Sequence, residues 1–204
     1  MSLDTDTKKW LKSFLGDQVR FDEPMTKHTS FRVGGPADAF VKVQNIETLS
    51  ALVKGLSERN LPWHVIGDGT NLLVKDTGVK GIVIVLGGSF KETEFKLEKD
   101  DFALLKCMSG VRMKKLCRLA AANRLEGMNS VLGIPGTVGG GIFMNAGNDL
   151  GSISDVLDSL TFMLPDGKIE TILKKDIGFK YRKLLWNSKY KEKYGKLPVI
   201  LQGL

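Results

Sequence analysis

Two glycine-rich stretches hold the residues whose types and spacing could do chemistry. The first, Gly67-Asp68-Gly69-Thr70-Asn71-Leu72-Leu73, directly follows an apolar run. Glycines permit positive φ and leave main-chain N–H groups open to a bulky anion, while Thr70 and Asn71 add side-chain donors, so phosphate is the natural ligand of such a loop. A plain strand-to-strand turn is the other reading, because Asp-Gly and Gly-Thr are ordinary turn pairs. The second stretch, Gly133-Ile134-Pro135-Gly136-Thr137-Val138-Gly139-Gly140-Gly141, places five glycines in nine residues around one proline. That composition makes a poor helix interior and a poor strand, and it predicts a loop whose backbone closely approaches a ligand. Ile142-Phe143-Met144 and then Asn145-Ala146-Gly147 follow, as if the loop fed a buried segment. The first loop lacks the third glycine of G-x-G-x-x-G, and no G-x-x-x-x-G-K-[ST] occurs anywhere, which disfavours a dinucleotide-type dehydrogenase and a P-loop ATPase.

Other reactive groups are sparse. Cys107 and Cys117 are the only cysteines and belong to no metal-binding pattern, so both are expected to be reduced packing residues, and no metal site is expected. His28 and His64 sit in no attachment motif and are read as polar or packing residues. Residues 180–196 carry seven Lys/Arg, four Tyr/Trp and the single acid Glu192. Taken alone, that mixture reads as a stacking surface for nucleic acid or as a solvated helix face or loop rim; the second reading is preferred.

The elements that must position the loops alternate in type. Leu49, Leu52, Val53 and Leu56 recur at i, i+3, i+4 and i+7 and predict an amphipathic helix over 47–60. Trp63-His64-Val65-Ile66 predicts a short buried strand that ends in the first loop. Leu72–Val74, Gly81–Leu86 and Phe102–Cys107 predict further strands, and Leu116, Leu119 and Ala120 predict a second helix over 113–123. Leu160–Leu164 and Ile169–Ile172 flank the turn residues Pro165-Asp166-Gly167-Lys168 and predict a hairpin. Leu197–Gln202 predicts a strand running off the end of the chain, as if the chain were cut inside a larger protein.

A length of 204 residues fits a compact αβ protein or two small joined lobes. The 42% hydrophobic and 26% charged composition is that of a soluble globular protein, and no apolar run approaches the roughly 20 residues of a spanning helix. The charged N-terminus lacks a secretory apolar region, so the expected location is cytoplasmic, without a membrane partner. A net charge of +7 suits a polyanion, a nucleotide cofactor or a nucleotide sugar alike.

Five segments together resemble one family. Thr29-Ser30-Phe31-Arg32-Val33-Gly34-Gly35-Pro36-Ala37 resembles the N-T-[ST]-F-[KR]-[VI]-G-G-x-A opening of bacterial UDP-N-acetylenolpyruvoylglucosamine reductases, with His28 in the place of Asn. Gly67–Val74 resembles their G-x-G-[ST]-N-L-L loop, and Leu132–Gly140 is similar to their I-P-G-[ST]-V-G-G segment. Asn145-Ala146-Gly147 stands where they have N-A-G, and Phe179-Lys180-Tyr181-Arg182 resembles F-x-Y-R. The five occur in the family's order from about residue 26 onward.

The resemblance implies an α+β protein of the vanillyl-alcohol-oxidase-like class, with non-covalent FAD between two small lobes, here residues 1–70 and 71–204, and the C-terminal substrate lobe missing. It implies NADPH as reductant and a UDP-sugar enolpyruvyl ether as the small-molecule substrate. By that resemblance Gly67, Asp68, Gly69, Thr70, Asn71 and Leu72 of the first loop hold the cofactor. Gly133, Ile134, Pro135, Gly136, Thr137, Gly139 and Gly140 of the second do the same, with Asn145, Gly147 and, near the adenine end, Val199. Arg182 is the matching catalytic and substrate-binding residue: its planar fork suits a carboxylate, and it stabilises charge that develops as hydride reaches the enolpyruvyl carbon. Tyr181 beside it is assigned to the substrate side, with core packing as its favoured role. The family's Ser or Cys proton donor and its Glu are implied to lie beyond residue 204. The chain departs from the family at Asp149-Leu150, where Tyr-Gly is common, and at Lys183-Leu184-Leu185-Trp186 after the arginine. A non-catalytic FAD-binding module, or another oxidoreductase on the same scaffold, is the alternative.

Overall fold

Asp4 and Asn45 start the first two long helices. Each side-chain oxygen accepts from an N–H three residues on, that of Thr7 and that of Thr48, satisfying a donor that the first turn leaves free. In the computed structural model, which describes residues 3–97 and 102–204, the first half runs α1 (Thr5–Leu15), β1 (Val19–Pro24), β2 (Pro36–Val43), α2 (Ile46–Glu58), β3 (Trp63–Ile66) and β4 (Val79–Leu86). Leu49, Leu52, Val53 and Leu56 of α2 are all fully buried, as their spacing predicts. The strands form one sheet in the order β1-β2-β4-β3, with β1 antiparallel to β2 and with β4 parallel to both β2 and β3. β4 is flanked on both sides, and its Ile82, Val83 and Ile84 are buried on both faces, which explains the unbroken apolar run.

This sheet corrects two expectations. The chain separates into two units after Gly88, not near residue 70. The first glycine loop lies inside the first unit because β4 must follow it to fill the position between β2 and β3. Leu72–Val74 is no strand: among the described residues this stretch has no ladder partner, Leu73 is 77% exposed, and regular pairing starts only at Val79.

The second unit contains β5 (Thr93–Leu97), β6 (Ala103–Met108), α3 (Met113–Ala122), α4 (Val138–Phe143), β7 (Gly147–Asn148), β8 (Gly151–Ser152), β9 (Ser159–Met163), β10 (Ile169–Leu173), β11 (Gly178–Lys180), β12 (Lys183–Leu185), α5 (Ser188–Tyr194) and β13 (Val199–Gly203). Its five-stranded sheet, β10-β9-β13-β6-β5, is antiparallel throughout. The strand expected near the end of the chain is thus the central one. The β9–β10 hairpin forms around Pro165–Lys168 as its turn residues predict, with the Thr161 and Thr171 hydroxyls 2.9 Å apart across the strands. Parallel pairing in the first unit and antiparallel pairing in the second bear out the expected α+β class.

The core of the second unit is built on Leu160, Phe162, Ile142 and Met113, all essentially inaccessible. The Phe162 ring meets Trp186 and Tyr190 edge-on at 5.1 and 5.4 Å. The Tyr190 hydroxyl donates to Glu170 at 3.0 Å and that of Tyr194 to Asp166 at 2.9 Å, which fixes α5 on the hairpin. Three of the four aromatics in the basic stretch 180–196 therefore pack on or bond to other parts of the protein. Replacing Phe162 by Ala removes the centre of this cluster and is expected to destabilise the protein by about 3–5 kcal/mol, read as a lowered urea midpoint with an unchanged slope.

Candidate functional site

The first loop turns at the end of β3 and rests on the protein's own backbone. Gly69 has φ 65, and a Cβ there would overlap the carbonyl oxygen of His28. The Ser30 N–H donates to the Gly69 carbonyl at 3.1 Å. The segment beneath is a tight turn in which Arg32 N–H donates to Thr29 O at 3.1 Å and the Thr29 hydroxyl donates to Val33 O at 3.0 Å. His28 is braced in turn: its Nε2 lies 3.0 Å from Glu23 Oε1, and its ring stacks on Phe40 at 3.9 Å. The hydrogen bond from His28, joined by the charge of Lys27 and a hydrogen bond from Arg20, outweighs burial and holds the Glu23 carboxyl below its usual pKa. Gly69 is thus required by packing between main-chain segments. Of the other loop residues Gly67, Asp68, Thr70, Asn71 and Leu72, Asp68 and Asn71 are exposed.

The second glycine run is only half a loop. Its later part, Val138–Phe143, is α4, although five glycines make a poor helix interior and a loop is expected. Thr137 caps it, Oγ1 accepting from Gly140 N–H at 3.3 Å. Val138 N–H donates to Val111 O at 2.8 Å and Gly139 N–H to Ser109 O at 2.9 Å. A Cβ on Gly139 would lie 2.7 Å from Ser109 Cβ, and one on Gly141 would lie 2.5 Å from Met113 Cε. These two glycines let the helix seat on its neighbours, and the first three helix donors are already used.

The loop proper, Gly133–Thr137, keeps the features of an anion site. Gly133 has φ 79 with open space where a Cβ would project, and Gly136 has φ 114. Thr137 faces Arg112 in a narrow antiparallel pair whose bonds come from the flanking residues, so its own N–H points away from the partner. Among the described residues, the N–H groups of Gly133, Gly136 and Thr137 donate to no protein acceptor, whereas Ile134 N–H donates to Val131 O at 3.2 Å. This donor set fits a phosphate group. Pro135 has no N–H and stiffens the loop between the two glycines.

Arg182 stands at the tip of the β11–β12 hairpin, in a two-residue turn with Tyr181. Its φ is 55, a left-handed conformation that an arginine adopts at a cost of about 1–2 kcal/mol. Its guanidinium lies 5.7 Å from the Tyr181 ring centre, and among the described residues no carboxylate pairs with it. Tyr181 is 90% exposed, so the expectation of core packing fails: the turn points it outward. Asn145, also left-handed at φ 42, closes α4 and bonds through both ends of its carboxamide to protein backbone. A Cβ on Gly147 would strike the Gly151 carbonyl across the β7–β8 pair, so this glycine too serves packing. Val199 is buried in β13, paired with Met163.

The cysteines are inert packing groups, both buried and free. Burial pushes the Cys107 thiol up to about 11 and also raises that of Cys117. Among the described residues, no cluster of His, Cys, Asp and Glu is suited to a metal ion, and no helix is long and apolar enough to cross a membrane. The Glu23–His28 brace was invisible to pattern reading, since a buried carboxylate five residues from a histidine carries no periodic signal.

The sequence model of the FAD binding domain matches residues 37–173, more than half of the chain. This chain belongs to the FAD binding domain family. Within that family it is similar to the UDP-N-acetylenolpyruvoylglucosamine reductase of Desulfosudis oleivorans, 38% identical over 181 residues that cover 89% of this chain and 58% of the relative. The crystal structure of the reductase from Thermus caldophilus superposes with a TM-score of 0.70 at 29% identity, over 88% of this chain and 59% of that one. A vanillyl-alcohol-oxidase-type flavoprotein of Myceliophthora thermophila shares the fold at 16% identity, with a TM-score of 0.59 over 98% of this chain and 40% of its own. The chain therefore spans a little over half the length of these reductases, and the resemblance read from its five motifs to that reductase family holds. FAD, the cofactor those motifs imply, is the ligand of the family.

Two outcomes follow from the braces. Because the fold lowers the Glu23 pKa, the ionised carboxylate stabilises fully above its ordinary value of 4.5 and loses that contribution as pH falls through the folded value. Thermal melts of Glu23→Gln should therefore lie below wild type at pH 7, with the gap closing as pH falls below 4.5. At the hairpin tip, Arg182→Gly should be about 1 kcal/mol more stable than Arg182→Ala in urea titrations, since glycine accepts the left-handed φ.

Proposed function

We propose that this chain is the FAD-binding part of a cytoplasmic, NADPH-dependent reductase that converts UDP-N-acetylglucosamine enolpyruvate to UDP-N-acetylmuramate for peptidoglycan synthesis. The observation that carries the reading is Arg182, a cation with no carboxylate partner among the described residues, held in a strained left-handed turn at the end of a hairpin. A glycine would sit there without strain, and side chains kept in such conformations concentrate at functional sites.

The residues fit the cofactor. The N–H groups of Gly133, Gly136 and Thr137 would donate to its pyrophosphate. FAD, when bound, supplies the redox centre that takes reducing equivalents from NADPH and passes them to the enolpyruvyl carbon. Arg182 holds the substrate carboxylate through its two-pronged fork and stays charged throughout, so it stabilises the negative charge that appears only as the double bond is reduced. Tyr181, exposed beside it, lines the substrate side.

Flavin titration tests the binding half: the chain should quench FAD fluorescence with a one-to-one end point, and no uptake would remove the flavin reading. For the chemistry, NADPH oxidation dependent on the enolpyruvyl substrate is measured in the full-length protein. Arg182→Ala should lower turnover by about 100-fold or more with FAD retained. Unchanged turnover would take Arg182 out of the mechanism.

A further inference from the structure

The β11–β12 hairpin that carries Arg182 is too small to hold itself still. Its strands are three residues each, and an isolated two-stranded ribbon is marginal even when longer. Leu184 is buried and Phe179 packs against the core, which fixes the strands in the middle. At the tip, the Lys180 carbonyl, two residues before Arg182, accepts from Asn145 Nδ2 at 3.1 Å. The other end of the same carboxamide, Oδ1, accepts from Ser154 N–H at 3.3 Å. Ser154 is itself held, because its carbonyl accepts from the Lys174 ammonium, which lies 5.3 Å from the Phe179 ring of β11.

Asn145 suits this position for three independent reasons. It closes α4 at φ 42, where asparagine is tolerated better than most side chains. It needs a donor on one side, toward a carbonyl, and an acceptor on the other, toward an N–H, and only a carboxamide of this length offers both. It is rigidly based, since Asn145 N–H donates to Ile142 O and Ala146 N–H to Gly141 O, both inside the seated helix. The family resemblance assigns this residue to the cofactor, yet both of its side-chain heteroatoms bond to protein.

We propose that Asn145 is a positioning residue for Arg182: its carboxamide ties the end of α4 and the Ser154 segment to the Lys180 carbonyl, and so fixes where the guanidinium points. The proposal rests on the reading of Arg182 as the substrate-binding cation. A group displaced by about 1 Å from its productive place loses up to about 100-fold in rate, so a loosened turn is felt in kcat.

The test uses full-length protein with FAD bound. Asn145→Asp tolerates the left-handed φ and keeps the acceptor for Ser154, but it cannot donate to Lys180; Asn145→Gly keeps the backbone and removes both bonds. Amide exchange of Tyr181, Arg182 and Lys183 should accelerate in both variants, and the FAD dissociation constant and flavin spectrum should stay those of wild type. Asn145→Asp should lower kcat by about 10- to 100-fold and have little further effect in an Arg182→Ala background, because the two residues act as one unit. Unchanged amide exchange would overturn the proposal. So would a weakened FAD affinity, which would make Asn145 a cofactor ligand, or a full additive loss in the double variant. If wild-type protein fails to turn over the enolpyruvyl substrate, the reductase reading falls on its own, and the exchange of the three amides still decides whether Asn145 holds the turn.

Discussion

The second unit depends on how closely the start of α4 approaches the backbone at Ser109–Val111. Two N–H groups of the first helical turn reach carbonyls of that segment, and Gly139 has no Cβ because one would meet Ser109 at 2.7 Å. A helix of six residues has little stability of its own, and this one is held by those bonds, by the Thr137 cap and by the burial of Ile142. Loop Gly133–Thr137 is therefore anchored at its exit, with its free donors on a fixed base. The other end of the same helix delivers Asn145 to the hairpin. One short helix thus connects the loop suited to a phosphate with the turn that carries the cation.

The glycines of the two runs divide by what stands where a side chain would be. At Gly69 it is the His28 carbonyl, at Gly139 it is Ser109, and at Gly141 it is Met113; these three serve the fold. At Gly133 it is open space, and the backbone there is left-handed with an uncommitted N–H. Both kinds are invariant requirements of geometry, but only the second kind is left for a ligand. A glycine-rich motif is in this protein a mixture of packing and binding residues, interleaved at intervals of a few positions.

Electrostatics follow the same separation. The charges that the fold consumes are local, as in Glu23 with His28, Arg20 and Lys27, where hydrogen bonds compensate a buried carboxylate. Arg182 is kept out of such compensation on a left-handed turn whose strain is met by packing and bonding elsewhere in the hairpin. A net charge of +7 adds a general attraction for anionic nucleotides without choosing among them.

Much of this was legible in the residues alone. The α2 face at 49, 52, 53 and 56, the strand at 63–66 and the hairpin at Pro165–Lys168 follow from periodicity and turn chemistry, which are local properties and survive in any context. The family motifs located both loops and the arginine at the hairpin tip because they are short runs of fixed residue types readable without the fold. Tertiary structure decided the rest. Whether Leu72–Val74 pairs as a strand depends on meeting a partner strand, and it pairs with none among the described residues. Whether three consecutive glycines form a helix depends on acceptors for its first N–H groups, brought by the Ser109 and Val111 carbonyls and the Thr137 hydroxyl, two of them nearly 30 residues distant in sequence. Tyr181 lies outside and Tyr190 inside because a two-residue turn and a helix of seven residues present their side chains to different surroundings. Sequence determines what each residue can do; which of its possible partners it meets is settled only when segments far apart in the chain come into contact.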